Sequence, residues 1–371
     1  MSDFELQVSN FYDGVILHKN VKLRIDSGII VQLDSNQNDL PQCLDGLLMP
    51  GLIDLQVNGG GGVLFNDIPN VETLRRIAQA HQQYGTTAWL PTLVTDSVDK
   101  MQQAADAVSK AIGDDALGIL GIHFEGPHIS SGKKGVHSES FIRTISDQEW
   151  EIYQRKDIGK ILLTLAPENV STETVRKLVD LGVLVSIGHT NADCESVQAL
   201  IRAGATGFTH LYNAMSGLQS RQPGAVGAAL SSDCYLGIIL DGIHCHPTAA
   251  KLAYRANPKL MLVTDAMPPV GTKQSRFNFF SQIIKRDGFK LTDTNGRLAG
   301  SSLDMFSALT NAKQFLDISF TEANQLASEN PAKYLGLSRY GKLVKGSMAN
   351  MILIDHQEQL SNVWIKGNKT F

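Results

Sequence analysis

The stretch "IDLQVNGGGG", residues 53–62, has the composition of a buried strand that runs directly into four glycines. Two amides, Gln56 and Asn58, stand at its end at positions i and i+2. Because side chains alternate along a strand, both amides point to the same side. Seven more short apolar runs follow along the chain, and the rhythm of these eight runs predicts the fold.

Helical patterns separate the eight runs, as in "VETLRRIAQAHQQYG" at residues 71–85, where apolar positions recur near helical spacing. The runs occupy residues 51–59, 86–94, 117–126, 161–168, 183–190, 205–213, 235–244 and 260–267. Eight strands alternating with helices predict an α/β fold, a (β/α)8 TIM barrel. A doubly wound open sheet is the alternative, but no GxGxxG motif follows the first strand.

Both chain ends have another pattern, with short alternating strands punctuated by Asp-Gly and Ser-Gly. We therefore expect a small β-sandwich module from residues 1–49 plus 340–371, around a catalytic barrel domain at 50–339. The mixed segment 272–296 is interpreted as a hairpin that leads back to this module. Ser301 or Ser302 is a candidate helix cap after it, and Thr190 and Asn191 are candidate caps earlier in the chain.

Composition excludes several classes of protein. With 371 residues and 43% hydrophobic content, the chain can bury a large core. A net charge of -4 without a basic block argues against nucleic-acid binding. No signal peptide and no membrane-spanning run is evident. The scattered cysteines, without a CxxC motif, fit a reducing cytoplasm and argue against disulfides or a thiolate zinc site; they are Cys43, Cys194, Cys234 and Cys245.

Polar residues that can bind metals or protons collect at the ends of the predicted strands. In a TIM barrel these ends converge on one face, where the active site lies. The residues are Gln56, Asn58, His123, Glu125, His128, Glu168, His189, His210, Asp241, His244 and Asp265. A lone histidine at a strand end is more often a satisfied polar residue than a ligand. Glu125 alone could equally be a salt-bridge partner, and Glu168 is interpreted as structural. Together they exceed what a chain with 10 histidines should place there by accident.

One carboxylate and two imidazoles form the best candidate metal site: Glu125, His189 and His210. A divalent metal held there would lower the pKa of water towards about 7. Such chemistry needs a base that later protonates the leaving group, and Asp265 is well placed for it. A capping role is the alternative for Asp265.

Seven motifs occur in an order that resembles a known superfamily. They are "PGLIDLQVNGGGG", "GIHFEGPHIS", "SIGHTNAD", "THLYNAM", "DGIHCH", "LVTDAMPP" and "LAGSSLDM". The pattern is similar to the amidohydrolase superfamily and, within it, to the N-acetylglucosamine-6-phosphate deacetylase family. This resemblance covers almost the whole chain. It implies metal-dependent hydrolysis of the acetamide of N-acetylglucosamine 6-phosphate, giving glucosamine 6-phosphate and acetate, by a cytoplasmic homodimer.

The resemblance also implies roles for individual residues. Glu125, His189 and His210 would bind the metal, and Asp265 would be the general acid/base. Asn213, Ala214, Arg221 and His244 would contact the phosphate or lie near it, and His137 would lie near the sugar and the amide. In relatives the matching arginine can reach across a dimer interface.

The two amides depart from the superfamily pattern. Most amidohydrolases have His-x-His at the end of the first strand, where it binds a second metal. Gln56 and Asn58 replace it here, and neutral amides are poor ligands for such an ion. We therefore expect one divalent metal per chain, zinc by preference, with iron or another divalent ion as alternatives. The amides are also candidates for hydrogen bonds at the barrel mouth.

Two other classes of function stay open from the sequence. One is another amidohydrolase reaction, by a cyclic-amide hydrolase, a D-amino-acid deacylase or a deaminase. The cyclic-amide enzymes use a modified lysine on the fourth strand, and the fourth run, "ILLTLAPE", has none. The other is a non-catalytic barrel that serves as a scaffold, with the missing His-x-His as decay. The complete set of metal ligands and base argues against decay.

Overall fold

The computed structural model describes residues 4–35, 43–280 and 282–371. Parts of the predicted N-terminal module (1–3 and 36–42) and Ser281 of the predicted hairpin lie outside the described residues. Across the described ranges, none of the helices is long and apolar enough to cross a membrane.

The strands and helices alternate through the middle of the chain, as predicted. The strands are β1 (Phe4–Tyr12), β2 (Leu17–Asp26), β3 (Ile29–Asp34), β4 (Leu44–Pro50), β5 (Leu52–Val57), β6 (Gly59–Gly60), β7 (Val63–Leu64), β8 (Thr86–Val94), β9 (Gly121–Glu125), β10 (Lys160–Leu165), β11 (Leu184–Ile187), β12 (Gly207–Phe208), β13 (Tyr235–Ile238), β14 (Leu260–Leu262), β15 (Arg276–Phe279), β16 (Gln282–Asp287), β17 (Lys290–Thr292), β18 (Leu298–Ser301), β19 (Met351–Ile354), β20 (Leu360–Ile365) and β21 (Asn368–Lys369). The helices are α1 (Val71–Gln82), α2 (Val98–Ala111), α3 (Asp147–Tyr153), α4 (Thr172–Asp180), α5 (Cys194–Arg202), α6 (Gly224–Leu230), α7 (Pro247–Ala256), α8 (Met305–Leu316), α9 (Phe320–Asn324) and α10 (Asn330–Tyr334).

Eight parallel strands form the barrel, in the order β14-β13-β12-β11-β10-β9-β8-β5. Each of the eight apolar runs contains one of these strands, so the predicted TIM barrel is confirmed. The two end strands meet through a parallel bridge between Val57 and Ala266. The buried Asp54 carboxylate strengthens this seam, because it accepts hydrogen bonds from the Thr264 hydroxyl (2.5 Å) and from the Thr264 N–H (3.3 Å).

The two chain ends form one seven-stranded sheet, in the order β21-β20-β19-β4-β1-β2-β3. Here β4, from the N-terminal part, pairs antiparallel with β19, from the C-terminal part. This sheet encloses its own apolar cluster, which includes Phe11, Leu23 and Trp364. The arrangement agrees with the predicted small β-sandwich built from both ends.

The four glycines after β5 form a tight hairpin at the barrel mouth. Gly61 and Gly62 turn between β6 and β7 with φ of +61° and +82°, a conformation that glycine adopts without strain. A side chain at Gly60 would meet the His81 ring at 2.8 Å. The glycines therefore allow the chain to turn sharply directly after the two amides.

Residues 272–296 were predicted to form one hairpin, but they belong to a larger sheet. Strands β15 to β18 form a four-stranded antiparallel sheet that includes this segment. Its alternating apolar side chains, among them Phe277, Ile284 and Leu291, pack with Val94 and Met267 of the barrel mouth in one cluster. The sheet therefore lies over the end of the barrel, where the candidate site is.

Two proposed helix caps were also wrong. The first turn of α8 is capped by Asp304, whose side chain accepts from the Ser307 N–H at 2.8 Å. The Ser301 hydroxyl instead donates to the Thr264 carbonyl. Helix α5 is capped by Asp193, which accepts from Ser196 N–H, rather than by Thr190 or Asn191. Aspartate is as good an N-cap as serine, so the choice depends on the path of the loop.

Candidate active site

The barrel register brings the three predicted metal ligands together. Ile187 of β11 pairs with Phe208 of β12, so His189 and His210, each two residues further on, emerge at the same level. Their Nε2 atoms lie 3.1 and 3.0 Å from Glu125 Oε1 and 2.9 Å from each other. All three side chains are buried. The structure therefore converges one carboxylate and two imidazoles on a single point.

The backbone is strained at these same positions. His189, His210 and Asp265 have φ of +49°, +33° and +52°, in the left-handed region that residues other than glycine seldom adopt. Tyr212 and Ala214, in the loop after β12, are also left-handed. Such strain persists only where the surrounding structure enforces it, and it gathers at functional sites.

The donor set fits a divalent metal. His189 Nδ1 lies 2.9 Å from the Lys133 carbonyl oxygen, which can only accept, so Nδ1 carries the proton and Nε2 presents a lone pair to Glu125. Two imidazole nitrogens and a carboxylate oxygen are ligands that zinc and iron share. Because lone pairs facing one another at these distances repel, a cation between them is the arrangement that satisfies all three.

Electrostatics at the site favour a bound cation. Burial would raise the pKa of Glu125, but its interactions with the His189 and His210 rings hold it well below its usual range. Burial would lower the pKa of His210, but the Glu125 carboxylate outweighs burial and raises it. Asp265 shows the opposite behaviour to Glu125: burial, together with the Glu125 charge, raises its pKa to about 8. The two carboxylates therefore have different proton affinities: Glu125 favours the ionised form, which suits a metal ligand, and Asp265 holds a proton more readily.

The two opening amides hold these carboxylates. Gln56 Nε2 donates to Glu125 Oε1 at 2.9 Å and to Asp265 Oδ1 at 3.2 Å. Asn58 Nδ2 donates to the same Asp265 Oδ1 at 2.6 Å. The hydrogen bonds that Gln56 and Asn58 donate to Asp265 therefore both end on Oδ1. The expected hydrogen bonds at the barrel mouth are present, and they leave Oδ2 of Asp265 as the oxygen available for proton transfer.

These residues open into a cavity of about 420 Å³, here called the barrel cavity. Predicted residues that line it are Asn58, Glu125, His137, His189, His210, Asn213, Ala214, His244 and Asp265. The four-stranded sheet supplies a further wall, with Phe279, Arg297, Leu298 and Gly300. This wall was not predictable from the sequence, because no local pattern indicates where that sheet packs.

His137 lies close to the three candidate metal ligands, and its surroundings favour the neutral form of its ring. Its ring centroid is 4.4 Å from that of His189, and burial is the largest cause that lowers its pKa well below the ordinary value. His137 Nδ1 lies 2.8 Å from the Thr95 hydroxyl, which itself donates to the Glu125 carbonyl. Since that hydroxyl has only one proton, Nδ1 donates and Nε2 is free to accept. This geometry suits a substrate hydroxyl or N–H as its partner.

The barrel cavity also offers groups suited to an anion. The left-handed Ala214 follows Asn213, and among the hydrogen bonds of the described residues none uses the Ala214 N–H. His244 Nδ1 lies 2.6 Å from Asp241 Oδ2 and therefore donates to it. This bond outweighs burial and lowers the pKa of Asp241. Asp241, which the sequence placed at a strand end without a role, orients His244.

Arg221 is not brought together with the other predicted residues. It is exposed and lines a separate cavity of about 430 Å³, here called the side cavity, beside residues 191–195 and 216–224. Of the residues that the structure describes, Lys133 alone lines both cavities. Within a single chain, Arg221 is therefore outside the barrel cavity.

Three strand-end residues have structural partners instead. His123 lies between the hydroxyls of Thr92 (3.1 Å) and Thr164 (2.8 Å), and burial lowers its pKa to about 4. His128 contacts the Arg143 carbonyl and the Tyr153 hydroxyl. Glu168 accepts from Thr190 and Asn191, which agrees with its structural interpretation.

Asp54, beneath the site, gives a testable dependence of stability on pH. Burial raises its pKa to about 7 although the Thr264 hydroxyl and two backbone N–H groups donate to it. The folded state thus holds this proton more tightly than the unfolded chain, so its contribution to stability falls as pH rises from about 4 to about 7. In the Asp54→Asn variant this loss should be absent. The free energy of unfolding of the variant should therefore rise relative to that of the wild type by about 1.4 kcal/mol for each pH unit of the interval.

Urea unfolding of chelator-treated protein across that pH range measures the effect as the difference between variant and wild type. Asp293→Asn is the matched control, because hydrogen bonds from Arg297 outweigh burial and lower the pKa of Asp293. The contribution of Asp293 to stability does not fall as pH rises, so the difference between this variant and the wild type should not show the rise expected for Asp54→Asn. A difference curve for Asp54→Asn that stays flat from pH 4 to pH 7 would contradict the assignment.

The site and the fold together can be compared with known proteins. The sequence profile of the Amidohydrolase family matches residues 47–370. The chain belongs to the amidohydrolase family. The family predicted from the seven motifs is thereby confirmed.

Curated relatives of this amidohydrolase carry related names. An N-acetylgalactosamine-6-phosphate deacetylase from Shewanella sp. (strain ANA-3) is 47% identical over 361 residues, covering 95% of this chain and 92% of the relative. An N-acetylglucosamine-6-phosphate deacetylase from Haemophilus influenzae is 34% identical over 325 residues, covering 86% of this chain and 85% of the relative. Both relatives are named as deacetylases of N-acetylhexosamine 6-phosphates, and the two names differ in the sugar.

Solved structures agree with the fold over the full length of this amidohydrolase. The crystal structure of N-acetylglucosamine-6-phosphate deacetylase from Pasteurella multocida has a TM-score of 0.94 and 32% identity, covering 99% of each chain. A mutant of the Mycobacterium smegmatis enzyme in complex with N-acetyl-D-glucosamine-6-phosphate has a TM-score of 0.93 and 25% identity, covering 100% of each chain.

Proposed function

We propose that this amidohydrolase removes the acetyl group from N-acetylglucosamine 6-phosphate and releases acetate and glucosamine 6-phosphate. The observation that carries the proposal is the convergence of Glu125, His189 and His210 beside Asp265 in a cavity large enough for a sugar phosphate. The galactosamine epimer is a second candidate substrate, because the 47% identical relative is named for it.

The proposed cofactor is one divalent metal per chain, zinc by preference, held by Glu125, His189 and His210. When bound, it would supply an activated water and polarise the amide carbonyl. Gln56 and Asn58 support a single ion. Their amide nitrogens donate to Glu125 and Asp265, and a neutral amide is a poor ligand at positions where the family pattern places imidazoles.

Asp265 is the proposed general acid/base. Its Oδ1 atom is fixed by Asn58 and Gln56, so Oδ2 takes the proton of the attacking water and then gives it to the departing amine nitrogen. His137 Nε2 accepts a hydrogen bond from the sugar and orients the acetamide. Fixing both reacting groups in one buried site reduces the entropic cost of the reaction.

The phosphate would bind on the opposite side of the cavity. The Ala214 N–H and the Asn213 region offer backbone and amide donors, and His244, oriented by Asp241, adds a ring nitrogen. Arg221 would complete this site only from a second chain, since it is outside the barrel cavity of its own chain. We therefore propose a homodimer in which Arg221 reaches the partner's site. The proposed location is the cytoplasm. The proposed domain boundaries lie between residues 49 and 50 and between residues 339 and 340.

Acetate release from four substrates tests the function: N-acetylglucosamine and N-acetylgalactosamine, each with and without the 6-phosphate. We expect kcat/KM for the phosphorylated sugars to exceed that for the free sugars by at least about 100-fold, since remote binding energy positions the acetamide. Equal rates on both forms would remove the phosphate site. The ratio of the two phosphorylated epimers decides between the two candidate substrates.

No turnover of any of the four, with metal bound, would redirect the assignment to other amidohydrolase reactions. A scaffold protein is excluded if chelator-stripped protein regains activity when zinc is added. Turnover of the four substrates and recovery of activity with zinc are measured on the same protein preparation.

A further inference from the structure

Positive charge in the barrel cavity is scarce for a site that takes a phosphate dianion. Among the described residues that line it, two side chains carry a permanent positive charge, Lys133 and Arg297. The Arg297 guanidinium already donates to Asp293 at 2.9 Å, so its charge is compensated. No described ion pair or hydrogen bond involves the Lys133 ammonium. Lys133 is therefore the uncompensated cation of this cavity within one chain.

Hydrogen bonds to His189, one of the candidate metal ligands, fix the backbone of Lys133. Its carbonyl accepts from His189 Nδ1 at 2.9 Å, and Ser130, three residues earlier, donates its N–H to the His189 carbonyl at 2.9 Å. The Lys133 N–H in turn bonds the Ser130 carbonyl at 3.1 Å. This turn is thus held at both ends by one metal ligand, and the lysine side chain starts from a defined position.

The same turn lies beside the proposed phosphate site. Thr190, which follows His189, donates its N–H to the Ala214 carbonyl at 3.0 Å, and Ser216 donates back to Thr190. The segment 213–217 passes from the barrel cavity to the side cavity, and Lys133, alone among the described residues, lines both. Lys133 therefore lies at the boundary between the two cavities. Asp193 and Glu195, the carboxylates of the side cavity, do not pair with it in the described ion pairs.

We propose that Lys133 binds the 6-phosphate of the substrate and that its charge helps to select phosphorylated sugars. The inference rests on the proposed function, because it names a further binding residue for that substrate. A lysine ammonium acts as a point charge on a flexible chain, which suits a rotating phosphate group. In this arrangement each chain contributes its own cation from the loop after β9, independently of Arg221.

Lys133→Met tests the proposal, because methionine keeps the length of the side chain and removes its charge. We expect KM for N-acetylglucosamine 6-phosphate to rise about tenfold, the effect of one charge-assisted contact, with kcat nearly unchanged. Activity on unphosphorylated sugar should fall far less than activity on the phosphorylated sugar. The inhibition constant of inorganic phosphate should rise by a similar factor, and Lys133→Arg should restore most of the affinity.

Lys134→Met is the matched control. Lys134 pairs with Glu139 and does not line the barrel cavity, so its variant should retain the wild-type KM. A Lys133→Met enzyme with wild-type KM and phosphate inhibition would overturn the proposal, as would equal losses on phosphorylated and free sugar. Failure of the proposed function is a different result, since it is the absence of wild-type turnover.

Discussion

Replacing Asp265 with asparagine should lower kcat by about 10²- to 10⁴-fold, the range that general acid/base catalysis contributes. The asparagine side chain has the same shape, and its Oδ1 can still accept from Asn58 and Gln56. Its second terminal atom becomes an amide nitrogen, which cannot take the proton of the attacking water. KM should change little, because Asp265 carries no other role in the proposed site.

Elemental analysis must accompany the kinetics, because a rate loss through lost metal would have another meaning. Asp265 is not one of the three converging ligands, so the variant should keep the metal content of the wild type. Asp304→Asn is the matched control: Asp304 caps α8 outside the barrel cavity, and asparagine is an equally good cap. An Asp265→Asn enzyme that turns over near the wild-type rate would show that another group transfers the proton.

Much of this fold was predictable because it depends on repeated local patterns. Eight apolar runs separated by helical segments specify a parallel barrel, and the convergence of strand ends then brings Glu125, His189 and His210 together. No contact had to be known in advance, since the position of each residue relative to its own strand was sufficient. The paired amides at 56 and 58 were noticeable for the same reason.

Features that depend on long-range packing could not be predicted. The four-stranded sheet over the barrel mouth alternates like any hairpin, and only the packing of Phe277 against the barrel shows where it lies. The carbonyl of Lys133, which fixes the tautomer of His189, is a backbone group that every residue carries. The position of Arg221 outside the barrel cavity depends on the path of a loop that no periodicity specifies.

Glu125→Gln should remove the metal. The glutamine amide oxygen is a weak ligand, and without the carboxylate the two imidazoles lose the charge that draws a cation to them. We expect about one equivalent of metal per wild-type chain and less than about a tenth of that in the variant, with activity falling in proportion. Added zinc should not restore the variant, whereas it should restore chelator-stripped wild type.

Glu168→Gln is the control that separates this effect from a general loss of charge at the barrel mouth. Glu168 lies in the loop after β10 and accepts from the Thr190 hydroxyl at 2.8 Å, so it is close to the site but is not one of the three candidate metal ligands. Its variant should keep one equivalent of metal. Two tightly bound equivalents in the wild type would contradict the single-metal assignment, because the donors of Gln56 and Asn58 would then have to turn away from the carboxylates they hold.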